Sequence, residues 1–138
     1  MITMKELLKE VKLENIPMEH QDSLYKLLHA INIIRQAYNK PMLPTSGYRS
    51  REDQLRIYKN KGIVDEKKIP WGSAHLKGMA VDISDPKQEL QKWCLENPEI
   101  LDKANLFMED FAFTKNWVHF QINPFGSYKK GGTRYFKP

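Results

Sequence analysis

The sequence predicts one α+β domain over residues 1–138, with helices first and a small antiparallel sheet after them. Two patterns carry this expectation. Between about residues 20 and 38, Leu24, Leu27, Leu28, Ile31 and Ile34 recur at three- and four-residue steps, the spacing of one helix face. Later, the runs Met79–Ile83 and Trp117–Ile122 alternate side chains with the two-residue period of a strand. A chain of 138 residues, 41% of them hydrophobic, can bury one core without crosslinks. That matters because Cys94 is the lone cysteine, expected as a core filler, so no disulfide is available.

The elements follow in order. Thr3-x-x-Glu6 is a capping box, with Leu7, Leu8 and Val11 behind it at helical spacing. Pro17 breaks the chain, and the long helix then runs to Tyr38, where Asn39-Lys-Pro41 ends it. Residues 43–49 read as a short strand leading into a turn, and Ser50-x-x-Asp53 caps a helix running to Gly62. Residues 63–74, with Pro70, Trp71 and Gly72, read as a loop. Asp85-Pro86 places a cap and a first-turn proline ahead of a helix over 86–96, and Pro98 begins a short one. Strands are expected over 106–113 and 117–122 around a turn at 114–116, with a mostly irregular tail from Asn123.

Composition narrows the function classes. No run approaches the roughly 18–20 apolar residues that cross a bilayer. The start, Met-Ile-Thr-Met-Lys-Glu, lacks the basic-then-apolar pattern of a secretory signal, so delivery beyond the cytoplasm is expected to rely on another factor. The formal charge of +5 suits a polyanionic surface, but no recognised nucleic-acid motif accompanies it. Neither a nucleic acid nor a membrane is expected as a partner.

Chemistry concentrates in Ser73-Ala-His-Leu-Lys-Gly-Met-Ala-Val-Asp82 and Trp117-Val-His-Phe-Gln121. Strand alternation puts Asp82 opposite in facing to Val81 and Ile83, and puts His119 with Trp117 and Gln121, away from Val118, Phe120 and Ile122. Gly78 allows a sharp turn that folds His75 back toward Asp82. An unpaired carboxylate amid apolar neighbours would be costly, and a metal resolves that cost. Two imidazoles and one carboxylate suit a zinc ion with an open fourth position, the pattern of a small hydrolase rather than of a structural site. His20 and His29, on the helical part, are expected to be solvated.

These residues resemble the signature of the zinc D-alanyl-D-alanine carboxypeptidases and L-alanyl-D-glutamate endopeptidases. That family includes bacterial and phage wall-cutting enzymes and shares its fold with the hedgehog signalling domain. Its Ser-x-His-x-x-Gly-x-Ala-x-Asp element is matched at each fixed position by Ser73, His75, Gly78, Ala80 and Asp82, and its Trp-x-His element by Trp117 and His119. Its Ser-Gly-Tyr-Arg-Ser element is residues 46–50, with Gln54 where members often carry it. The resemblance implies a hedgehog/DD-peptidase-like fold and one zinc per chain on His75, Asp82 and His119. It also implies peptidoglycan stem peptides as substrate, a monomer, and phage-type release to the wall. Arg49 would bind a substrate carboxylate or developing oxyanion, with Ser73 and Gln54 also on the substrate side.

The resemblance breaks at Asn116. Many members carry an acid three residues before the last histidine, and asparagine cannot relay a proton. Glu109 and Asp110 are the acids of the preceding strand, and turn length decides between them. A three-residue turn sets Phe113 against Trp117 and Glu109 against Gln121, on the metal face, whereas a two-residue turn brings Asp110 there. Glu109 is the expected general base and Asp110 the alternative. Without a base the chain would be an inactive zinc-containing binding module of the same fold.

Overall fold

The computed structural model describes residues 1–137, which form five α-helices and a five-stranded mixed sheet. Helix α1 (Met4–Leu8) starts on the anticipated capping box, in which Thr3 Oγ1 accepts from the Glu6 N–H and the Glu6 carboxylate accepts from the Thr3 N–H. It ends before Val11, because Lys9 turns to a positive φ of 56°. Helix α2 (Met18–Tyr38) buries Leu24, Leu27, Ile31 and Ile34 and stops at Asn39 in the left-handed conformation. Helix α3 (Arg51–Asn60) has its capping box on Ser50 and Asp53 and ends two residues short of Gly62. Helices α4 (Glu89–Glu96) and α5 (Glu99–Ala104) complete the set.

The sheet runs β1-β2-β4-β3-β5, with β1 (Pro44–Ser46), β2 (Ala80–Ser84), β3 (Phe107–Glu109), β4 (Trp117–Gln121) and β5 (Tyr135–Phe136). Its back face contributes Val81, Ile83, Val118, Phe120 and Met108 to one core with the apolar faces of α1, α2, α4 and α5. Each such fully buried side chain contributes on the order of 1.5–3 kcal/mol, so this face fixes the register. Cys94 lies in that core, and burial pushes its thiol up to about 12.

Four expectations need correction. The sheet is mixed, not antiparallel, because a two-residue strand in the mostly irregular tail, β5, pairs in parallel with β3. The helix expected from residue 86 begins at Glu89. Gln88 adopts a left-handed φ of 59°, and the Asp85 carboxylate reaches past it to accept from the Leu90 and Gln91 N–H groups (3.0 and 2.9 Å). The strand expected over 106–113 stops at Glu109: the Asp110 N–H makes the last ladder bond, to the Phe136 carbonyl (2.7 Å), and the chain then turns, with the Phe113 N–H donating to the Asp110 carbonyl (3.0 Å) and the Thr114 N–H to that of Phe111 (3.2 Å). The three-residue turn is therefore a longer connection, residues 110–116. Gln91 pins it from α4, donating to the carbonyls of buried Thr114 and of Trp117 (2.6 and 2.9 Å).

Among the described residues no helix is long and apolar enough to cross a membrane.

Candidate metal centre

The central pair of strands builds the site. In the β2–β4 ladder Asp82 lies directly across from His119, with both side chains on the face away from the core. His75 arrives from a 3-10 turn (Ala74–Lys77) capped by Ser73, whose Oγ accepts from the His75 N–H (3.3 Å). Gly78 closes that turn at φ 70°, and a Cβ there would stand 2.8 Å from the His20 carbonyl oxygen and from Leu24 Cγ. Only glycine meets both demands. The ligand-type atoms of His75, Asp82 and His119 all lie within 4.8 Å of one another.

Each imidazole is held by an oxygen that can only accept. His75 Nδ1–H donates to the Gly47 carbonyl (2.8 Å), so in neutral His75 the lone pair is on Nε2, 3.3 Å from Asp82 Oδ2. His119 Nε2–H donates to Gln121 Oε1 (2.9 Å), so in neutral His119 the lone pair is on Nδ1, 2.9 Å from Asp82 Oδ1. The Gln121 amide is oriented in turn by donating to the Asn123 carbonyl (3.0 Å). Two lone pairs thus converge on a carboxylate, which is repulsive unless protons or a metal cation lie between them. Two ligands of one zinc at ~2.0–2.1 Å and a tetrahedral angle stand roughly 3.3–3.4 Å apart. The His75–Asp82 spacing has that value and the His119–Asp82 spacing of 2.9 Å is shorter, so the three residues could hold a metal ion after a small adjustment.

Electrostatics couple the three groups. Burial pushes the Asp82 carboxyl up, but hydrogen bonds from His119 and His75 and their charge outweigh it and hold the group well below the usual carboxylate range. Burial pushes His119 down, but the Asp82 hydrogen bond and charge, helped by Gln121 and Glu109, raise it above its ordinary value.

Arg49 completes this corner. Its backbone N–H donates to the His75 carbonyl (3.1 Å), its Nε to Ser46 Oγ (3.1 Å) and its Nη1 to Gln54 Oε1 (3.4 Å). Its Nη2 stands 3.8 Å from Asp82 Oδ2. Gln54 is fully buried and its amide also donates to the Pro70 carbonyl (3.0 Å), so it reaches a substrate only by holding Arg49. Ser73 caps the His75 turn as an acceptor and stays partly exposed. His20 departs from the solvated expectation, being partly buried with an unpartnered Nδ1, whereas His29 is exposed.

Glu109 and Asp110 separate clearly. The β3–β4 register pairs Phe107 with Gln121 and Met108 with Phe120, and its continuation sets Glu109 opposite His119. The shift from the expected register is two residues, so Glu109 keeps the metal face. Burial raises the Glu109 carboxyl, the His119 charge works against this, and Asp82 and Asp110 add to it. Asp110 instead accepts from the Ala112 N–H (2.9 Å) within the connection.

Sequence reasoning gave no role to Gln121, Gly47 or Phe136, whose ring lies 6.0 Å from that of His119. Strand alternation placed Gln121 beside His119, which was the available signal; the Gly47 carbonyl, 28 residues from His75, had none. Releasing the Gln121 contact should matter. A Gln121→Leu variant is expected to bind zinc about 10–100-fold more weakly, the usual range for an orienting partner, as read by chelator competition. Unchanged affinity would show that Gln121 does not orient the ring.

Compared with protein-family models, curated proteins and solved structures, the chain matches none.

Proposed function

We propose that this chain is a zinc-dependent peptidase of peptidoglycan stem peptides. The observation that carries the reading is the pair of opposite imidazole tautomers, each fixed by an accepting oxygen and both aimed at Asp82. The match to the wall-peptidase motif over residues 46–121 supplies the substrate class. His75, Asp82 and His119 would hold the ion, which when bound polarises a scissile carbonyl and makes water nucleophilic near neutral pH.

The chain's own groups supply the rest. Glu109 takes a proton from the attacking water as its oxygen bonds to the carbonyl carbon, then returns it to the amine nitrogen as the C–N bond breaks. Its raised carboxyl suits a group that must both accept and give back a proton. Arg49, held on Ser46 and Gln54, offers donors to a substrate carboxylate or to the developing oxyanion. Digestion of purified wall peptides with mass analysis of the fragments tests this: new fragments that require zinc are expected, and intact peptides would sink the proposal.

Proton linkage gives a second check. Zinc must displace the proton that His119 shares with Asp82, and that proton is held above the ordinary value of 6.5. Apparent zinc affinity should therefore climb as pH rises through the raised His119 value and then level off. The metal-free protein should show the opposite limb. The raised His119 value stabilises the fold below 6.5 and this is lost as pH rises through it; the lowered Asp82 value stabilises above 3.8 and is lost on acidification. Calorimetric zinc titrations and thermal melts across pH read both effects, and pH-independent affinity would contradict the linkage.

A further inference from the structure

We propose that the C-terminal segment, residues 125–137, forms a subsite beside the metal centre for an acidic amino sugar, the glycan neighbour of a stem peptide. The inference rests on the wall-peptide reading for the identity of the sugar; the recess itself stands on separate observations.

Pairing of β5 with β3 sets Phe136 beside Glu109, and its ring meets that of His119 at a steep angle (6.0 Å, 80°). Phe136 stacks on Phe125 (5.5 Å, 28°), which meets Tyr128 and Phe107 at steep angles (5.6 and 5.8 Å). The face carrying the triad thus continues into half-buried aromatic rings. Phe125, Tyr128, Tyr135 and Phe136 line a recess of about 450 Å³, with Lys129 and Lys137 exposed at its rim. That volume lies within the range of small-ligand sites, roughly 300–1,000 Å³. Ring faces accept the C–H face of a pyranose, and the rim ammonium groups favour a carboxylate on it. The segment carries Lys129, Lys130, Arg134 and Lys137 and no acidic residue, so it has one sign of charge to offer.

The recess is pre-formed. Arg134 Nε donates to Asp102 Oδ1 (2.6 Å) and its Nη1 to Asn105 Oδ1 (3.1 Å), while the guanidinium lies over Phe107 (4.7 Å) and Tyr128 (5.5 Å). The Tyr135 hydroxyl donates to the Cys94 carbonyl (3.1 Å). A segment tied down in this way loses little freedom on binding. Aromatics among lysines also suit single-stranded nucleic acid, but most of these rings meet at steep angles around one recess rather than offering successive parallel faces.

The test is calorimetry on the full chain with N-acetylglucosaminyl-N-acetylmuramic acid, a disaccharide with a free carboxylate and no peptide. Wild type is expected to bind it, with or without zinc. A Lys129→Ala/Lys137→Ala variant, altered only at exposed side chains, should bind about tenfold more weakly, the combined effect of two exposed charge contacts. Tyr128→Leu should weaken binding further. Three results would overturn the proposal: no binding by wild type, undiminished binding by the lysine variant, or an oligonucleotide that binds more tightly and is lost with the same lysines. Disaccharide binding without cleavage of stem peptides would sink the peptidase and leave the subsite, and cleavage without disaccharide binding would do the reverse.

Discussion

Replacing His75 by alanine should abolish tight zinc binding: the wild-type chain is expected to keep one ion through dialysis against a weak chelator, and the variant to lose it. Structural zinc sites with four ligands contribute about 10–16 kcal/mol, so each ligand accounts for roughly 3 kcal/mol, or on the order of 10²–10³ in affinity. His75 is 3% exposed and commits Nδ1–H to Gly47, which leaves only Nε2 to face Asp82. Metal analysis of folded His75→Ala protein reads the effect, and near-ultraviolet circular dichroism reports whether the fold survives. Full zinc retention by a folded variant would remove His75 from the site.

The second large effect concerns turnover. Glu109→Gln keeps the shape of the side chain and removes its ability to relay a proton. It should lower kcat on a stem peptide by about 10²–10⁴-fold, the usual contribution of a positioned acid–base group, with zinc stoichiometry unchanged. Asp110→Asn should do far less, because that carboxylate caps the Asp110–Ala112 turn. If Asp110→Asn abolishes cleavage and Glu109→Gln does not, the roles are reversed. If both variants cleave like wild type, the base lies elsewhere.

The site was more legible in the sequence than the sheet that carries it. Alternation alone sorted Asp82 and His119 onto one face, because a strand with a buried side admits one phase. The same parity kept Glu109 on that face although the register moved by two residues. The length of the 110–116 connection was not legible, because it is set by Gln91 of α4 reaching the carbonyls of Thr114 and Trp117. Strand β5 was missed for a related reason. A two-residue strand has no period to read, and Pro124, Gly126, Gly131 and Gly132 before it pointed to a mostly irregular tail. Gly47 illustrates a different limit. Its role needs a bare carbonyl and a backbone so close that a Cβ would stand 2.3 Å from the Leu7 carbonyl oxygen, a contact between distant segments.

X-ray absorption at the zinc edge, on protein loaded with one equivalent, tests the centre of the account most directly. The expected spectrum has two imidazole nitrogens with oxygen ligands at about 2.0–2.1 Å and no sulfur, and the imidazole signal should fall when His119 is replaced by alanine. A spectrum of oxygen ligands alone, or one unchanged in the His119→Ala protein, would contradict the metal centre and the peptidase built on it.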